Sequence, residues 1–346
     1  MSGEGRAPVR FEKVSRHFGD VMALDGFDLA IAAGEFVTLL GPSGSGKTTA
    51  LNILAGFDRA SSGEVFIGER PVGALPPEKR NVGMVFQSFA LFPHMSVFDN
   101  VAFPLRMRKV ARQEIAGRVA RALEMVRLGG YGDRRPAALS GGQRQRVALA
   151  RAVVAEPPVL LMDESLSALD LKLREDLQEE IRRLHHQLGT TVVFVTHDQG
   201  EALTLSDRIA LMNRGRICQF DTPTALYDRP VSRFVADFIG RTNIVPVDDG
   251  AGHAAALGLS LDPATIKAVS LRPEKLRRAL HAGDLSFDAV VEDVAFHGAT
   301  VESRLRSPTG FVLRMSETRS GPLPPPSPGE TTRVGFAAGD AVPLFD

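Results

Sequence analysis

The segment from Gly41 to Thr48, GPSGSGKT, has the residue types of a phosphate-binding loop: two glycines separated by four residues, then Lys and Thr. Glycine lets the backbone turn tightly enough for successive N–H groups to face an anion, and a helix beginning near Lys47 would add its positive dipole end. Lys47 is expected to reach the outer phosphates of a nucleotide, and the Thr48 hydroxyl to ligate Mg²⁺. A flexible glycine turn is the alternative. The predicted nucleotide-contacting residues of this loop are Gly41, Pro42, Ser43, Gly44, Ser45, Gly46, Lys47, Thr48 and Thr49.

An acidic pair, Asp163 and Glu164, follows the apolar run from Val159 to Met162. Adjacent residues of a strand point in opposite directions, so the two carboxylates are expected to have different roles. Asp163 is predicted to hold Mg²⁺ through water, and Glu164 to polarise the attacking water as general base. Such a pair alone is more often a solvated turn, and the loop at Gly41 favours the catalytic interpretation.

The elements that must position these groups are short apolar runs typical of buried parallel strands. They alternate with helical patterns from Val9 to about Gly240, which predicts an α/β nucleotide-binding domain. The runs are Glu35 to Leu40, Asn81 to Phe86, Pro158 to Asp163 and Thr191 to Thr196.

Helical spacing dominates between the second and third of these runs, at about residues 88–155, and predicts a helical subdomain. Its apolar positions are Ile115, Val119, Leu123 and Val126. A later helix carries one apolar stripe and is expected to end at Gly189. The stripe consists of Leu173, Leu177, Ile181, Leu184 and Leu188.

After Gly240 the pattern changes to short alternating runs punctuated by Gly and Pro, such as Phe287 to Phe296 and Gly310 to Met315. This pattern predicts a small β-barrel at residues 241–346. The proline-rich stretch from Gly321 to Glu330 is interpreted as a stiff connector and not as a peptide-docking motif.

The composition excludes several classes of protein. Lys plus Arg equals Asp plus Glu, at 41 each in 346 residues, so no overall field attracts nucleic acid or an anionic membrane surface. No run approaches the roughly 18 apolar residues of a membrane helix, and the N-terminus lacks the apolar core of a signal peptide. The single cysteine, Cys218, fits a reducing cytoplasm and is assigned no chemistry. Any membrane role must therefore come through a partner.

The sequence LSGGQ, from Leu139 to Gln143, distinguishes this chain from kinases and GTPases that share the first two motifs. It resembles, without substitution, the signature of ATP-binding cassette (ABC) proteins. The resemblance implies that this motif closes over the γ-phosphate bound to a second subunit. A serine, two glycine amides and a helix N-terminus, with the helix expected from Arg144 to Val154, would make an anion cradle consistent with that role. The implied contact residues are Ser140, Gly141, Gly142 and Gln143.

Further motifs of the same family occur in order along the chain. Phe18 lies where ABC ATPases place an aromatic ring against adenine, although for this residue in isolation burial in a core is the better interpretation. Gln87 resembles the glutamine that senses Mg²⁺ and links the site to the membrane partner. Asp170, in SALD, belongs to a segment that resembles the loop meeting the opposite subunit, and His197 resembles the switch histidine that bonds the γ-phosphate. The implied catalytic set is Glu164, His197, Gln87 and Lys47, and the implied metal set is Thr48, Gln87 and Asp163.

The resemblance covers about Val9 to Phe238. It implies a P-loop NTPase cassette at residues 1–240, with a RecA-like core, a helical subdomain and an antiparallel β subdomain. Two positions depart from the family pattern: Ser165 stands where proline is usual, and Gly200 where glutamate is common. These departures put the stiffness of the loops in question, but not the phosphate contacts.

Residues from Gly240 onward resemble the OB-type accessory domains of bacterial importer ATPases, most clearly at LRPEK, Leu271 to Lys275. The segment lacks a basic-aromatic surface pattern, so dimer contact or regulation is expected in preference to nucleic-acid binding. The segments Asn81 to Leu105 and Tyr227 to Asn243 are most similar to the ATPases of polyamine importers. Importers of ferric iron, phosphonate, sulfate or sugar are the alternatives.

The resemblance implies an ATPase subunit at the cytoplasmic face of the inner membrane, with ATP and Mg²⁺ as ligands and with no nucleic acid bound. The expected partners are a second copy or a like ATPase subunit, two membrane permease subunits and, indirectly, an extracytoplasmic solute-binding protein. Permease docking is expected near Ser88 to Pro104, where apolar side chains suit either a partner helix or the subdomain core. Those side chains are Phe89, Leu91, Phe92 and Met95.

Two rival interpretations belong to other classes. A soluble ABC protein of translation or DNA repair usually carries two cassettes or a long coiled-coil insertion, and neither pattern is visible in this sequence. A P-loop kinase would not need the cradle at Leu139 to Gln143.

Overall fold

The computed structural model describes residues 6–86, 90–163, 171–247, 250 and 252–346, and for residues 171–173 it describes the backbone only. The chain divides into two compact units, Met1–Pro223 and Thr224–Asp346. The boundary that the sequence predicts, at Gly240, lies further along the chain, and the extent of the nucleotide-binding domain up to that residue stays a prediction.

The first unit combines strands and helices in alternation, as the sequence predicts. Its elements are β1 (Val9–Phe18), β2 (Val21–Ile31), β3 (Phe36–Leu40), α1 (Lys47–Ala55), β4 (Ser62–Ile67), β5 (Arg70–Pro71), β6 (Val82–Val85), α2 (Val97–Met107), α3 (Arg112–Met125), α4 (Gly141–Val153), β7 (Val159–Asp163), α5 (Leu171–Leu188), β8 (Thr191–Thr196), α6 (Gln199–Leu205), β9 (Arg208–Asn213) and β10 (Arg216–Asp221).

A central sheet has the strand order β10-β9-β3-β8-β7-β6. The neighbouring pairs from β9 to β6 are parallel, and only β10 runs antiparallel to its neighbour β9. The four apolar runs predicted as buried parallel strands are β3, β6, β7 and β8, so that prediction is confirmed. A second, antiparallel sheet has the order β2-β1-β4-β5, which confirms the predicted antiparallel β subdomain.

The central sheet is covered on both faces, because successive side chains of a strand point to opposite sides. In β8, Val192 and Phe194 pack with α2 to α5, whereas Val193 and Val195 pack with α1 and the antiparallel sheet. The apolar runs are continuous for this reason: a strand buried on both faces has no polar side to alternate with.

The predicted helical subdomain consists of α2, α3 and α4, between β6 and β7. All four apolar positions predicted for it are buried. In α5, Leu177, Ile181 and Leu184 are buried, and Gly189 follows the helix with a φ of 60°. The side chain of Leu173 lies outside the described part of the chain. Helix α5 ends at the predicted glycine because glycine adopts the left-handed conformation, which stops a helix, at no steric cost.

The second unit contains short helices followed by an all-β domain. Its elements are α7 (Pro223–Asp228), α8 (Arg233–Phe238), β11 (Asn243–Pro246), α9 (His253–Ala256), β12 (Ala268–Leu271), β13 (Leu285–His297), β14 (Thr300–Arg306), β15 (Val312–Thr318), β16 (Thr331–Phe336) and β17 (Ala341–Leu344).

Two antiparallel sheets, with the orders β11-β12-β17 and β15-β14-β13-β16, build this domain. Both sheets contribute buried side chains to one core, for example Leu271 from the first sheet and Phe287 and Leu313 from the second. The proline-rich stretch from Gly321 to Glu330 connects β15 to β16, as predicted. The predicted small OB-like domain is thus confirmed as a fold.

In the described part of the chain no helix is both long and apolar enough to span a membrane.

Candidate functional site

The loop between β3 and α1 has the conformation that a phosphate-binding loop requires. Gly41 has a φ of 153°, and a Cβ there would lie 2.2 Å from the carbonyl oxygen of Met212. Gly46 has a φ of 101°, and a Cβ there would lie 2.4 Å from the carbonyl oxygen of Ala23. A larger residue at either position would collide with backbone, so both glycines are needed for the close approach of neighbouring strands.

Lys47, the first residue of α1, lies across this loop. Its ammonium donates hydrogen bonds to the carbonyl oxygens of Gly41, at 2.8 Å, and Pro42, at 2.9 Å. The side chain is buried, whereas Thr48 in the next position is exposed and Thr49 is half-buried. The loop is thus folded against its own lysine, with Thr48 in the first turn of the helix open to solvent.

The remaining loop residues divide into exposed and buried positions. Ser43 and Gly44 are exposed, so their backbone is accessible to a ligand. Ser45 is buried, and its hydroxyl has no hydrogen-bond partner among the described residues. A buried hydroxyl without a partner is costly, and a phosphate oxygen would satisfy it. The loop therefore fits an anionic group.

Parallel register brings the other predicted groups to the same edge of the sheet. Leu40 pairs with Thr196, and Asp163 pairs with Val195. The loop at Gly41, the carboxylate of Asp163 and the turn after β8 thus lie at the carboxyl ends of adjacent strands, where open α/β sheets bind ligands. Predicted catalytic residues Gln87 and Glu164, and the predicted contact Asp170, lie outside the described residues.

The side of the sheet on which Asp163 lies follows from strand alternation. In β7, Val159 and Leu161 pack with α1, whereas Leu160 and Met162 pack with the helical layer. Asp163 continues the first set and is half-buried, so it lies on the face of β7 that carries the phosphate loop.

His197 directly follows β8 and is exposed. It precedes Asp198, whose side chain accepts a hydrogen bond from the backbone N–H of Glu201 and so caps α6. Gly200, which departs from the family pattern, lies in the first turn of α6, and a Cβ there would make a tight contact of 3.1 Å with Asp198 Oδ1. Ser165 lies outside the described residues.

Phe18 lies at the tip of the hairpin between β1 and β2, where it pairs with Val21. Its side chain is 48% exposed, so it is not a core residue. The guanidinium carbon of Arg16 lies 4.3 Å from the centroid of the Phe18 ring, and the same guanidinium forms an ion pair with Asp58. An exposed ring held in this way is a suitable surface for stacking a planar base.

The LSGGQ segment begins a helix, as predicted, but α4 begins at Gly141 and not at Arg144. The earlier start has a local cause. Ser140 Oγ accepts from the backbone N–H of Gln143, at 3.3 Å, and Gln143 Oε1 accepts from the backbone N–H of Ser140, at 2.9 Å. This reciprocal capping box stabilises the first turn despite its two glycines. Ser140 and Gly141 are exposed, and Gly142 is buried.

Comparison with known proteins agrees with these motifs. The ABC transporter family matches residues 24–167, and the TOBE domain family matches residues 269–344. The spermidine/putrescine import ATP-binding protein PotA of Rubrobacter xylanophilus is 47% identical over 97% of this chain and 93% of its own length. PotA of Pseudomonas aeruginosa is 48% identical over 96% and 95%. The uncharacterised ABC transporter ATP-binding protein YdcT of Escherichia coli is 46% identical over 98% of both chains.

The chain belongs to the ABC transporter family. It is an ABC-type ATPase that binds ATP and couples its hydrolysis to transport. Among solved structures, a dimeric ABC in a post-hydrolysis state bound to ADP and Pi is 34% identical, with a TM-score of 0.55 over 62% of this chain and 98% of that chain. The ABC transporter component cbiO1 of Clostridium perfringens is 28% identical, with a TM-score of 0.58 over 63% and 89%.

The LRPEK segment of this ABC ATPase contains one arginine, which makes contacts with the preceding helices. Arg272 is buried, and its guanidinium donates to the carbonyl oxygens of Tyr227, Ala236 and Arg241. Its carbon also lies 4.0 Å from the centroid of the Tyr227 ring. These contacts hold α7 and α8 on the β-domain, which explains why both helices group with the second unit.

Arg80 supports the helix that follows the phosphate loop of the ABC fold, and the sequence did not indicate this role. It is buried, and it donates to the carbonyl oxygens of Ile53 and Leu54 at the end of α1 and to that of Leu75. Burial lowers the pKa of this guanidinium. Arg80 thus supplies the missing partners at the C-terminal end of the helix that Lys47 begins.

The side chains predicted to receive a permease have different surroundings in the ABC fold. Phe92 lines a groove, whereas Leu91 packs against the core of the helical layer. Met95 is half-buried, and Phe89 lies outside the described residues. Leu91 therefore belongs to the subdomain core, and docking of a permease at Phe92 stays a prediction. Cys218, in β10, is half-buried, and burial raises the pKa of its thiol, which fits the assignment of no chemistry to it.

Proposed function

We propose that this chain is the ATPase subunit of an importer for polyamines of the spermidine and putrescine type. The proposal is carried by the 47% identity, over almost the full length, with a protein named for spermidine/putrescine import. A second relative of the same name covers an equally large share of the chain. These relatives give no support to ferric iron, phosphonate, sulfate or sugar as the cargo.

In this proposal ATP lies along the carboxyl edge of the central sheet. The exposed loop backbone at Ser43 and Gly44 and the positive end of α1 face the phosphates. Lys47 exchanges its bonds to loop carbonyls for bonds to the β- and γ-phosphates, and Phe18 stacks on adenine. The open side of the loop and the exposure of the Phe18 ring support this placement.

The donor set at this edge fits a magnesium ion held largely by phosphate and water. Among the described residues there is no group of three or more His, Cys, Asp or Glu that could hold a metal. Thr48 is exposed in the first turn of α1, and Asp163 lies on the α1-facing side of β7. These two residues, with Gln87, are the proposed ligands, and the ion would neutralise charge on the phosphates.

Hydrolysis in this proposal needs groups from two copies of the chain. Glu164 polarises the attacking water, and His197 bonds the γ-phosphate. The partner copy contributes the N-terminus of its α4 at Ser140 to Gln143, where Ser140 and Gly141 are exposed, and Asp170 is proposed to meet the partner copy. The 34% identical structure with ADP and Pi is a dimer, which supports a two-fold arrangement for this chain.

The permease is proposed to dock in a groove of about 360 Å³ beside β6 and α2. Phe86, Phe92 and Phe103 give this groove an apolar lining, and Arg108 and Arg151 also line it. Burial lowers the pKa of both guanidinium groups. An apolar groove with two partly desolvated cations suits an amphipathic helix that carries an acidic residue. Docking there would hold the ATPase at the cytoplasmic membrane face.

The test is transport-coupled hydrolysis. The chain is assembled in proteoliposomes with the permease subunits that co-purify with it, and ATP hydrolysis is measured with the solute-binding protein loaded with spermidine, putrescine, sulfate or maltose. We expect stimulation by the polyamines only, and its loss in Glu164→Gln with ATP binding retained. Stimulation by another solute alone would contradict the cargo, and near-normal turnover of Glu164→Gln would contradict the proposed base.

A further inference from the structure

The turn that carries His197 is enclosed by a ring of hydrogen bonds. The Thr196 hydroxyl donates to Glu201 Oε2 at 2.6 Å and accepts from the backbone N–H of Asp198 at 3.0 Å. Asp198 Oδ1 in turn accepts from the backbone N–H of Glu201, also at 3.0 Å. The residues on both sides of His197 are thus bound to each other, while His197 itself is exposed.

Two of the three residues that form this ring of hydrogen bonds are buried. Thr196 and Glu201 are each 0% exposed, and the second carboxyl oxygen of Glu201 has no hydrogen-bond partner among the described residues. Burial raises the pKa of the Glu201 carboxyl, and the bond from the Thr196 hydroxyl acts in the opposite direction. A buried carboxyl that is only partly satisfied costs stability, so a purely structural role would be better filled by an apolar side chain.

A further contact ties the ring to α5. Arg174 Nη1 donates to Asp198 Oδ2 at 3.0 Å, and both side chains are partly buried. Arg174 lies near the start of the described part of α5 and follows Asp170 by four positions in the sequence. The turn at His197 is therefore linked to the helix that follows the segment proposed to meet the partner copy.

We propose that Thr196 and Glu201 are positioning residues for ATP hydrolysis, which hold the backbone at His197 so that the histidine side chain reaches the γ-phosphate. Arg174 connects this positioning to α5. The inference rests on the proposed role of His197 in hydrolysis. It assigns no contact with ATP to either positioning residue.

The decisive variant is Thr196→Val, which keeps the shape of the side chain but removes the hydroxyl that joins Glu201 to Asp198. Steady-state hydrolysis and ATP binding are measured on the full chain. We expect kcat to fall roughly tenfold, on the scale that small displacements of catalytic groups produce, with KM for ATP changed less than about twofold. Thr196→Ser, which restores the hydroxyl, should recover most of kcat.

A matched control is available in the neighbouring strand. Thr38 in β3 is also 0% exposed, and its hydroxyl lies 2.5 Å from Ser206 Oγ. Thr38→Val removes a buried hydroxyl of similar surroundings without touching the ring. We expect it to lower the unfolding temperature about as much as Thr196→Val but to leave kcat unchanged. Equal losses of kcat in both variants would overturn the proposal.

A double-mutant cycle separates this proposal from the role of His197. If Thr196 acts through His197, then Thr196→Val should cause no further loss of kcat in a His197→Ala background. Losses that multiply would overturn the positioning role and leave His197 as proposed. A His197→Ala variant with wild-type kcat would instead overturn the proposed role of His197, and this inference with it.

Discussion

The ammonium of Lys47 lies 2.8 Å from the carbonyl oxygen of Gly41, so the lysine that begins α1 also closes the loop that precedes it. Ser43 and Gly44 of the same loop are exposed, and the backbone N–H of Ser45 donates to the carbonyl oxygen of Pro42 at 3.2 Å. The lysine therefore has two alternative sets of acceptors, the loop carbonyls and the phosphates of a nucleotide.

Lys47→Met should weaken ATP binding at least tenfold and abolish hydrolysis, because an apolar end group cannot bond phosphate oxygens. Titration with a fluorescent ATP analogue measures the affinity. The control is Lys79→Met, which removes an exposed lysine from the same unit. Equal affinity in the two variants would show that Lys47 serves only to close its own loop.

Ser140→Arg should stop hydrolysis while leaving ATP binding to the isolated chain unchanged, because the proposed partner of Ser140 is the nucleotide of a second copy. Hydrolysis rate and ATP affinity are measured on the same preparation. Loss of the cap itself costs about 1 kcal/mol, so a matched variant is needed. Ser232→Arg removes the equivalent cap of α8, where Ser232 Oγ accepts from the backbone N–H of Val235, and should keep full hydrolysis. Failure of ATP binding in Ser140→Arg alone would argue against action on a second copy.

Arg80→Met should destabilise the first unit by about 2–4 kcal/mol, because it leaves the carbonyl oxygens at the end of α1 buried without their donor. Urea unfolding followed by circular dichroism gives the free energy of unfolding. Arg59 is an exposed arginine of the same region, and Arg59→Met should change this free energy by less than about 0.5 kcal/mol. An equally small change in Arg80→Met would show that water replaces the guanidinium at these carbonyls.

Tyr227 gives a spectroscopic test of the second unit. Burial, together with the bond that its hydroxyl donates to Glu274 at 2.8 Å, raises its pKa from 10.0 to about 12. The neutral phenol is favoured in the folded state, so its contribution to stability is present below pH 10 and is lost as the pH rises from 10 to about 12.

The chain contains two tyrosines and no tryptophan, so absorbance at about 295 nm reports tyrosinate formation with little background. We expect the folded protein to show a transition near pH 12. Tyr227→Phe should remove that transition, and Tyr131→Phe should leave it in place. If the rise in absorbance were complete by about pH 11, this would show that Tyr227 is accessible to solvent.

Much of the fold could be predicted because the signals are local. The four parallel strands are continuous apolar runs, and Gly189 ends α5 where the sequence indicated. The start of α4 was predicted three residues too late, because two glycines weaken the helical pattern that the capping box of Ser140 and Gln143 restores. Helix propensity is a weak prior that such contacts override.

Residues that act through distant contacts could not be found in this way. Arg80 contacts carbonyls of α1 that lie 26 and 27 positions earlier, and nothing near it in the sequence indicates those partners. The exposure of Phe18 is a similar case, because an aromatic residue in a strand is equally typical of a core.

The sequence by itself determined the phosphate loop, the signature and the order of strands and helices, because these depend on residue types at fixed short spacings. The tertiary structure alone decided which groups meet. Parallel pairing brings Gly41, Asp163 and the turn at His197 to one edge of the sheet, although they lie far apart along the chain. The tertiary structure also showed that Lys47 is held by its own loop, since the direction of a side chain depends on the backbone that surrounds it.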